Sequence, residues 1–281
     1  MIRDLMLPMT GTAGDQNALL ASLALAEMTS AHLAVIESVN LPSLMPNPWG
    51  FTPSAITSDL YDELRDLGAA SAARLRERLE RESVSWEVRV VESVAGDPSS
   101  TLALHARYAN LSVMTAAPQK PAADAGIVEA MFTTLLFESG RPVLVIPPHH
   151  PAVLPISHAV VAWQPTREGT RALHDALPLL LTAKTVDVLT VDPVIGENHH
   201  GERPGADIAG HLARHGIKVN VVERPLLRES TATALLRHAV ESGAQLLVAG
   251  GYGHSRLREW AIGGTTRELL RTICLPILFS H

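Results

Sequence analysis

Apolar positions along this chain fall into two alternating kinds of run. Short, nearly continuous apolar stretches occupy residues 5–9, 33–37, 87–91, 111–115 and 143–146. They recur at 159–163, 186–191, 218–222, 246–249 and 277–279. Runs of that length suit strands covered on both faces, as in parallel sheets flanked by helices. Longer amphipathic stretches lie between them. Leu19, Leu20, Leu23 and Ala26 stand at helical spacing within residues 15–28. Leu60, Leu64, Leu67, Leu75 and Leu79 mark a second helix with Arg and Glu on its other face. Asp97-Pro98 and Ser230-Thr231 read as helix starts ahead of residues 102–109 and 234–240. Strand and helix in alternation predict an α/β fold with right-handed crossovers.

The same order of runs occurs twice. Residues 111–116 resemble 246–251, residues 140–146 resemble 274–279, and residues 5–12 resemble 159–166. Two domains of one kind are therefore expected, residues 1–150 and 151–281. The join from Ile146 to Pro155 holds four prolines and reads as a stiff, extended linker. The last strand of each half, 143–146 and 277–279, is a short apolar edge that invites aggregation if left bare, so the two are expected to pair with each other. The longest stretch without periodicity, residues 40–56, carries Pro42, Pro46, Pro48 and Pro53 with Trp49 and Phe51. It reads as a loop pinned to the surface, with a lid or partner surface as the alternative.

Composition narrows the classes of function. The 281 residues are 46% hydrophobic with a net charge of −6, and no run of Lys or Arg offers a nucleic-acid footprint. One cysteine, Cys274, permits no intrachain disulfide and suits a reducing compartment. Placed before an apolar strand, it is expected as a small buried hydrophobe. Asp4 and Pro8 interrupt the first apolar stretch, so no signal peptide is read there. No run approaches the ~18 apolar residues of a membrane helix. A cytoplasmic protein without membrane contact is the expectation.

The chemistry concentrates near the C-terminus. The strand at 246–249 leads into Gly250-Gly251-Tyr252-Gly253-His254-Ser255-Arg256, and Gly263-Gly264-Thr265-Thr266 opens a helix running through Arg271. The pattern is Gly-x2-Gly-x9-Gly-Gly-Thr, from strand end to helix start. Glycines let backbone N–H groups approach a phosphate without a Cβ in the way. A helix N-terminus adds unpaired donors and a favourable dipole. Gly250, Gly253, His254, Arg256, Gly263, Gly264 and Thr265 are thus candidates for holding an anion. The competing reading is that these glycines only permit a tight turn and a helix start. Gly253-His254-Ser255 lacks the second glycine of a nucleophile elbow, since Leu257 stands in its place, and no Gly-x4-Gly-Lys-Ser/Thr occurs. His211 and His215 have the i, i+4 spacing of a metal pair, but no third ligand is evident in sequence, and the thirteen histidines read as surface residues.

The Gly-x2-Gly-x9-Gly spacing, the helix after it and the final Cys274-Leu275-Pro276-Ile277-Leu278 strand resemble the universal stress protein family. The opening Ala162-Trp163-Gln164-Pro165-Thr166-Arg167-Glu168 resembles the family's first strand and turn. The resemblance covers nearly the whole chain as two tandem copies. It implies a five-stranded parallel sheet with flanking helices per copy, an adenine nucleotide alpha hydrolase-like or Rossmann-like architecture, with pairing through the last strands. It also implies ATP in the glycine groove of some members and, in others, a nucleotide-free stress adaptor acting through protein contacts. Carried over residue by residue, Gly250, Gly253 and Gly263 match the phosphate-loop glycines. Gly264 stands where ATP-binding members have Ser or Thr, with Thr265 one step later. Gln164 stands where the family often has an Asp near the adenine, and its amide offers both a donor and an acceptor. The first copy departs further: residues 115–122 lack the glycines and carry two prolines, and Thr10 takes the Asp position. A tandem stress-response regulator with ATP in its second half is expected, with the adaptor as the alternative. With no general base beside a nucleophile, at most slow ATP hydrolysis is expected. Further pairing into a homodimer is left open.

Overall fold

The computed structural model describes residues 1–42, 54–94, 98–117, 122–149, 152–196, 200–251 and 264–281. Strands and helices alternate as the apolar pattern requires. The first half contains β1 (Asp4–Pro8), α1 (Asp15–Thr29), β2 (His32–Leu41), α2 (Ser54–Leu79), β3 (Trp86–Val94), α3 (Pro98–Ala106), β4 (Leu111–Thr115), α4 (Ala122–Glu138) and β5 (Val143–Ile146). The second half contains β6 (His158–Ala162), α5 (Arg167–Leu180), β7 (Thr185–Val191), α6 (Ala206–Arg214), β8 (Val219–Arg224), α7 (Thr231–Glu241), β9 (Leu246–Gly250), α8 (Gly264–Arg271) and β10 (Ile277–Ser280).

The ten strands among the described residues lie in one sheet, ordered β3-β2-β1-β4-β5-β10-β9-β6-β7-β8. Each half thus repeats one strand order, and within each half every pairing is parallel. The halves meet at a single antiparallel seam, where Ile277, Leu278 and Phe279 stand opposite Val145, Leu144 and Val143. The seam makes the two expected five-stranded parallel sheets one continuous sheet. It also removes the two apolar edges that would otherwise template aggregation. The more polar β3 and β8 are left as edges.

Helices cover both faces because successive side chains of a buried strand point to opposite sides. Leu5 and Leu7 of β1 join a core under α1, α2, α5 and α6, while Met6 joins a second core under α3, α4, α7 and α8. Both cores contain residues of both halves and run across the seam. Ser230 caps α7 by accepting from Thr233 N, as the Ser-Thr start suggested.

Three expectations change. β2 continues through Asn40 and Leu41, which lay in the stretch read as aperiodic: Val39 and Leu41 are buried while Asn40 is exposed, the alternation of a strand near a sheet edge. Residues 43–53 of that stretch lie outside the described residues. α3 begins at Pro98, where the Asp97-Pro98 start was read, but ends at Ala106, before the expected residue 109. Cys274 is exposed, not buried. Desolvation by its neighbours nevertheless raises its thiol, which disfavours the reactive thiolate.

Candidate functional site

Strand order fixes where a ligand site would lie. From β6 the chain moves outward to β7 and β8, then returns to β9 on the other side of β6. The carboxyl ends of β6 and β9 therefore flank a topological switch point, where open α/β sheets bind ligands. Ala162 is in register with Ala249, so Gln164 and Gly250, just beyond them, come to one end of the sheet. The loop from Gln164 into α5 is tightly wound. Thr166 N donates to the Gln164 carbonyl, and the Thr166 hydroxyl caps α5 by accepting from Gly169 N. The Gln164 side chain is exposed and makes no hydrogen bond among the described residues.

Gly250 is close-packed. A Cβ there would fall 2.8 Å from both the Glu168 carbonyl carbon and Gly169 N. Gly251 N donates to the Ser280 carbonyl, and a Cβ on Gly251 would fall 2.7 Å from Leu136 of the other half. Gly264 and Thr265 stand exposed in the first turn of α8, with open space around Gly264. Gly253, His254, Arg256 and Gly263 lie outside the described residues.

The first half is built differently at the corresponding place. Met9 N donates to Ile36 O as Trp163 N donates to Leu189 O, so Thr10 corresponds to Gln164, Asp15 to Gly169 and Glu37 to Thr190. Asp15 is buried, and its carboxylate accepts from Thr10 N (2.9 Å), Gly11 N (2.9 Å) and the Thr10 hydroxyl (2.6 Å). The donors of this β1–α1 loop are therefore spent within it. Burial raises the Asp15 carboxyl against the opposing pull of these bonds. Burial likewise raises Glu37, which the nearby Asp15 charge raises further. The second half has glycine and threonine at these two positions, and its carboxylate in this region, Glu168, sits in the first turn of α5.

A further group emerges on the other side of the second half. The His174 ring of α5 lies 5.2 Å from the His211 ring, which lies 4.8 Å from that of His215. The third imidazole that sequence spacing did not reveal comes from a different helix. Even so, no group of three or more His, Cys, Asp or Glu among the described residues has the arrangement to hold a metal ion. Nor is any helix among the described residues long and apolar enough to cross a membrane.

No family model matches the chain. A universal stress protein of Synechocystis is 36% identical over 67 residues, a match spanning 24% of this chain and 22% of that protein. Among solved structures, a universal stress protein from Archaeoglobus fulgidus superposes with a TM-score of 0.73 at 17% identity, covering 99% of this chain and 95% of its own. A functionally unknown protein from Pseudomonas aeruginosa gives 0.57 at 16% identity, covering 99% and 92%. The resemblance read from the glycine pattern thus holds in fold over essentially the whole chain, and in sequence over one limited stretch of a universal stress protein.

Proposed function

We propose that the chain is a tandem universal stress protein, with domains at 1–150 and 151–281, whose second domain binds ATP as a stress-response regulator. The observation that carries this is the asymmetry at the two switch points. The first half holds two buried or half-buried carboxylates, Asp15 and Glu37, and uses its loop donors internally. The second half has Gly169 and Thr190 in their place and leaves the Gln164 amide without a partner among the described residues. A triphosphate is repelled by the first arrangement and tolerated by the second. In this reading the backbone N–H groups around Gly250, Gly253, Gly263, Gly264 and Thr265 hold the phosphates, with His254 and Arg256 as further donors. Gln164 meets an adenine edge near the end of β7. ATP turnover is slow at most, and occupancy is the signal.

Native mass spectrometry of the purified protein should show one adenine nucleotide per chain. Titration calorimetry of nucleotide-free protein with ATP should give one site, weakened at least tenfold by Gly253→Val and unchanged by Ala117→Val in the first half. Absence of binding, or equal loss in both variants, would favour the alternative of a nucleotide-free adaptor.

A further inference from the structure

A cavity of about 280 Å³ opens beside α5 and α6 of the second half. Trp163, half-buried at the end of β6, forms one aromatic wall, and His174 and His211 form another. Its mouth carries two exposed charges of opposite sign, Arg203 and Asp207. Neither forms an ion pair among the described residues. His211 Nε2 is buried with no hydrogen-bond partner among the described residues. An unpaired buried nitrogen is costly unless something meets it, so it marks a place for a ligand or a water. Burial, then the neighbouring His215, His174 and Arg214, lower the His211 pKa and keep the ring neutral. A neutral ring can offer a hydrogen bond of either sense. His174 Nδ1 is already committed to the Thr170 carbonyl, which leaves its Nε2 as an acceptor. The end of α6 is also prepared: its N-cap, Gly205, has φ +79° and supplies no side-chain cap. That positive φ, and Val188 and Val221 at 3.2 Å from a would-be Cβ, explain a glycine there.

We infer that this cavity binds a small zwitterion carrying one flat ring, of the chemical class of a free aromatic amino acid. The ring lies between Trp163 and the imidazoles, the carboxylate faces Arg203 and the open start of α6, and the ammonium faces Asp207. The cavity is at the small end for ligand sites, which suits a molecule of that size. Trp163 and Pro165, which line the cavity, flank Gln164, while Gly250, Gly251, Gly264 and Thr265 do not line it.

Three probes separate the contributions: phenylalanine with both charges, 3-phenylpropionate with only the carboxylate, and phenethylamine with only the ammonium. Titrations of the full-length protein are followed by NMR at the Trp163 indole and the His174 and His211 rings. Phenylalanine should shift all three, and each single-charge analogue should bind about fivefold more weakly, the upper end for an exposed ion pair. Arg203→Gln should erase the preference for phenylalanine over phenethylamine and leave that over phenylpropionate. Asp207→Asn should do the converse. Both side chains are exposed, and amide spectra unchanged elsewhere would confirm the fold of each variant. No shift at these three residues with any probe, or equal binding of all three, overturns the inference.

Discussion

Gly250 and Glu168 touch backbone to backbone: a Cβ on Gly250 would lie 2.8 Å from the Glu168 carbonyl carbon. The first half makes the corresponding contact the other way round. There the glycine is Gly14, on the helix side, and the strand side carries Thr115, whose hydroxyl a Cβ on Gly14 would overlap. Each half thus needs one glycine where the helix after its first strand meets the end of its fourth, and each has placed it on a different partner. Gly250 therefore has a packing reason to be glycine that is independent of any phosphate.

Gly250→Ala should cost about 1–3 kcal/mol, because backbone rather than a movable side chain stands in the way. Gly264→Ala meets open space and should be neutral or slightly stabilising. Urea unfolding compares the two, and equal midpoints would show that the Gly250 contact relaxes freely. Gly14→Ala should also destabilise. Thr115→Gly, which copies the second half, should partly rescue it, with a coupling of about 0.5–3 kcal/mol in a double-mutant cycle.

This contact also shows what sequence could and could not reveal. The strands were legible because β1, β4, β5, β9 and β10 are buried along nearly their whole length and read as nearly continuous apolar runs. The seam was legible because both last strands are too apolar to face solvent. α4 gave no helical signal because Val128, Met131, Phe132, Leu135 and Leu136 are all buried while Ile127 and Phe137 are apolar on its outer side, so no polar face stands out. The Asp15 closure of the first-half loop was missed because a lone Asp at a helix start looks like an ordinary N-terminal acid. Only the fold shows that it corresponds to Gly169. The His174–His211 contact joins residues 37 positions apart on different helices, and spacing along one helix cannot detect it.

Two buried carboxyls should titrate in opposite directions. At Asp187, burial would raise the carboxyl, but hydrogen bonds from Asn220 (2.9 Å) and His238 (3.0 Å), together with the His158 imidazole 3.1 Å away, outweigh it and hold it below the ordinary 3.8. At Asp15 burial wins, and the carboxyl stands above that value. A carboxyl held low gives stability that is complete above its unfolded value and lost as pH falls through its folded value. One held high gives stability that is complete below its unfolded value and lost as pH rises through its folded value. Carbon-13 titration of the side-chain carboxyls should place Asp15 above 3.8 and Asp187 below it. Asp187→Asn should flatten the acid limb of the stability curve. An Asp187 midpoint above Asp15 would contradict at least one of the two assignments.

Removing the Asp15 carboxylate should open the β1–α1 loop. Asp15→Ala strands Thr10 N and Gly11 N, two donors in a partly buried loop, at about 1–3 kcal/mol for each group that water cannot reach. Amide exchange at Thr10 and Gly11 should accelerate in the variant, while the Gln164–Thr166 loop of the second half stays as protected as in wild type. Unchanged exchange at Thr10 and Gly11 would mean that other groups hold the loop.

The seam should make the two halves unfold together. Phe132 of α4 and Phe279 of β10 meet edge to face across it, with centroids 5.3 Å apart, and both side chains are fully buried. Because each face's core contains residues of both halves, loosening one side of the seam exposes apolar surface on the other. Phe279→Ala removes a buried ring and its partner contact and should cost about 3–5 kcal/mol. Trp86 reports on the first half and Trp163 on the second, so variants keeping one of them as the single tryptophan of the chain's four separate the two signals in urea. In the wild-type background the two midpoints should coincide, and Phe279→Ala should lower both by the same amount. A midpoint that falls only at Trp163 would show that the first half keeps its fold without the seam, and that the ten-stranded sheet is two cooperative units in contact.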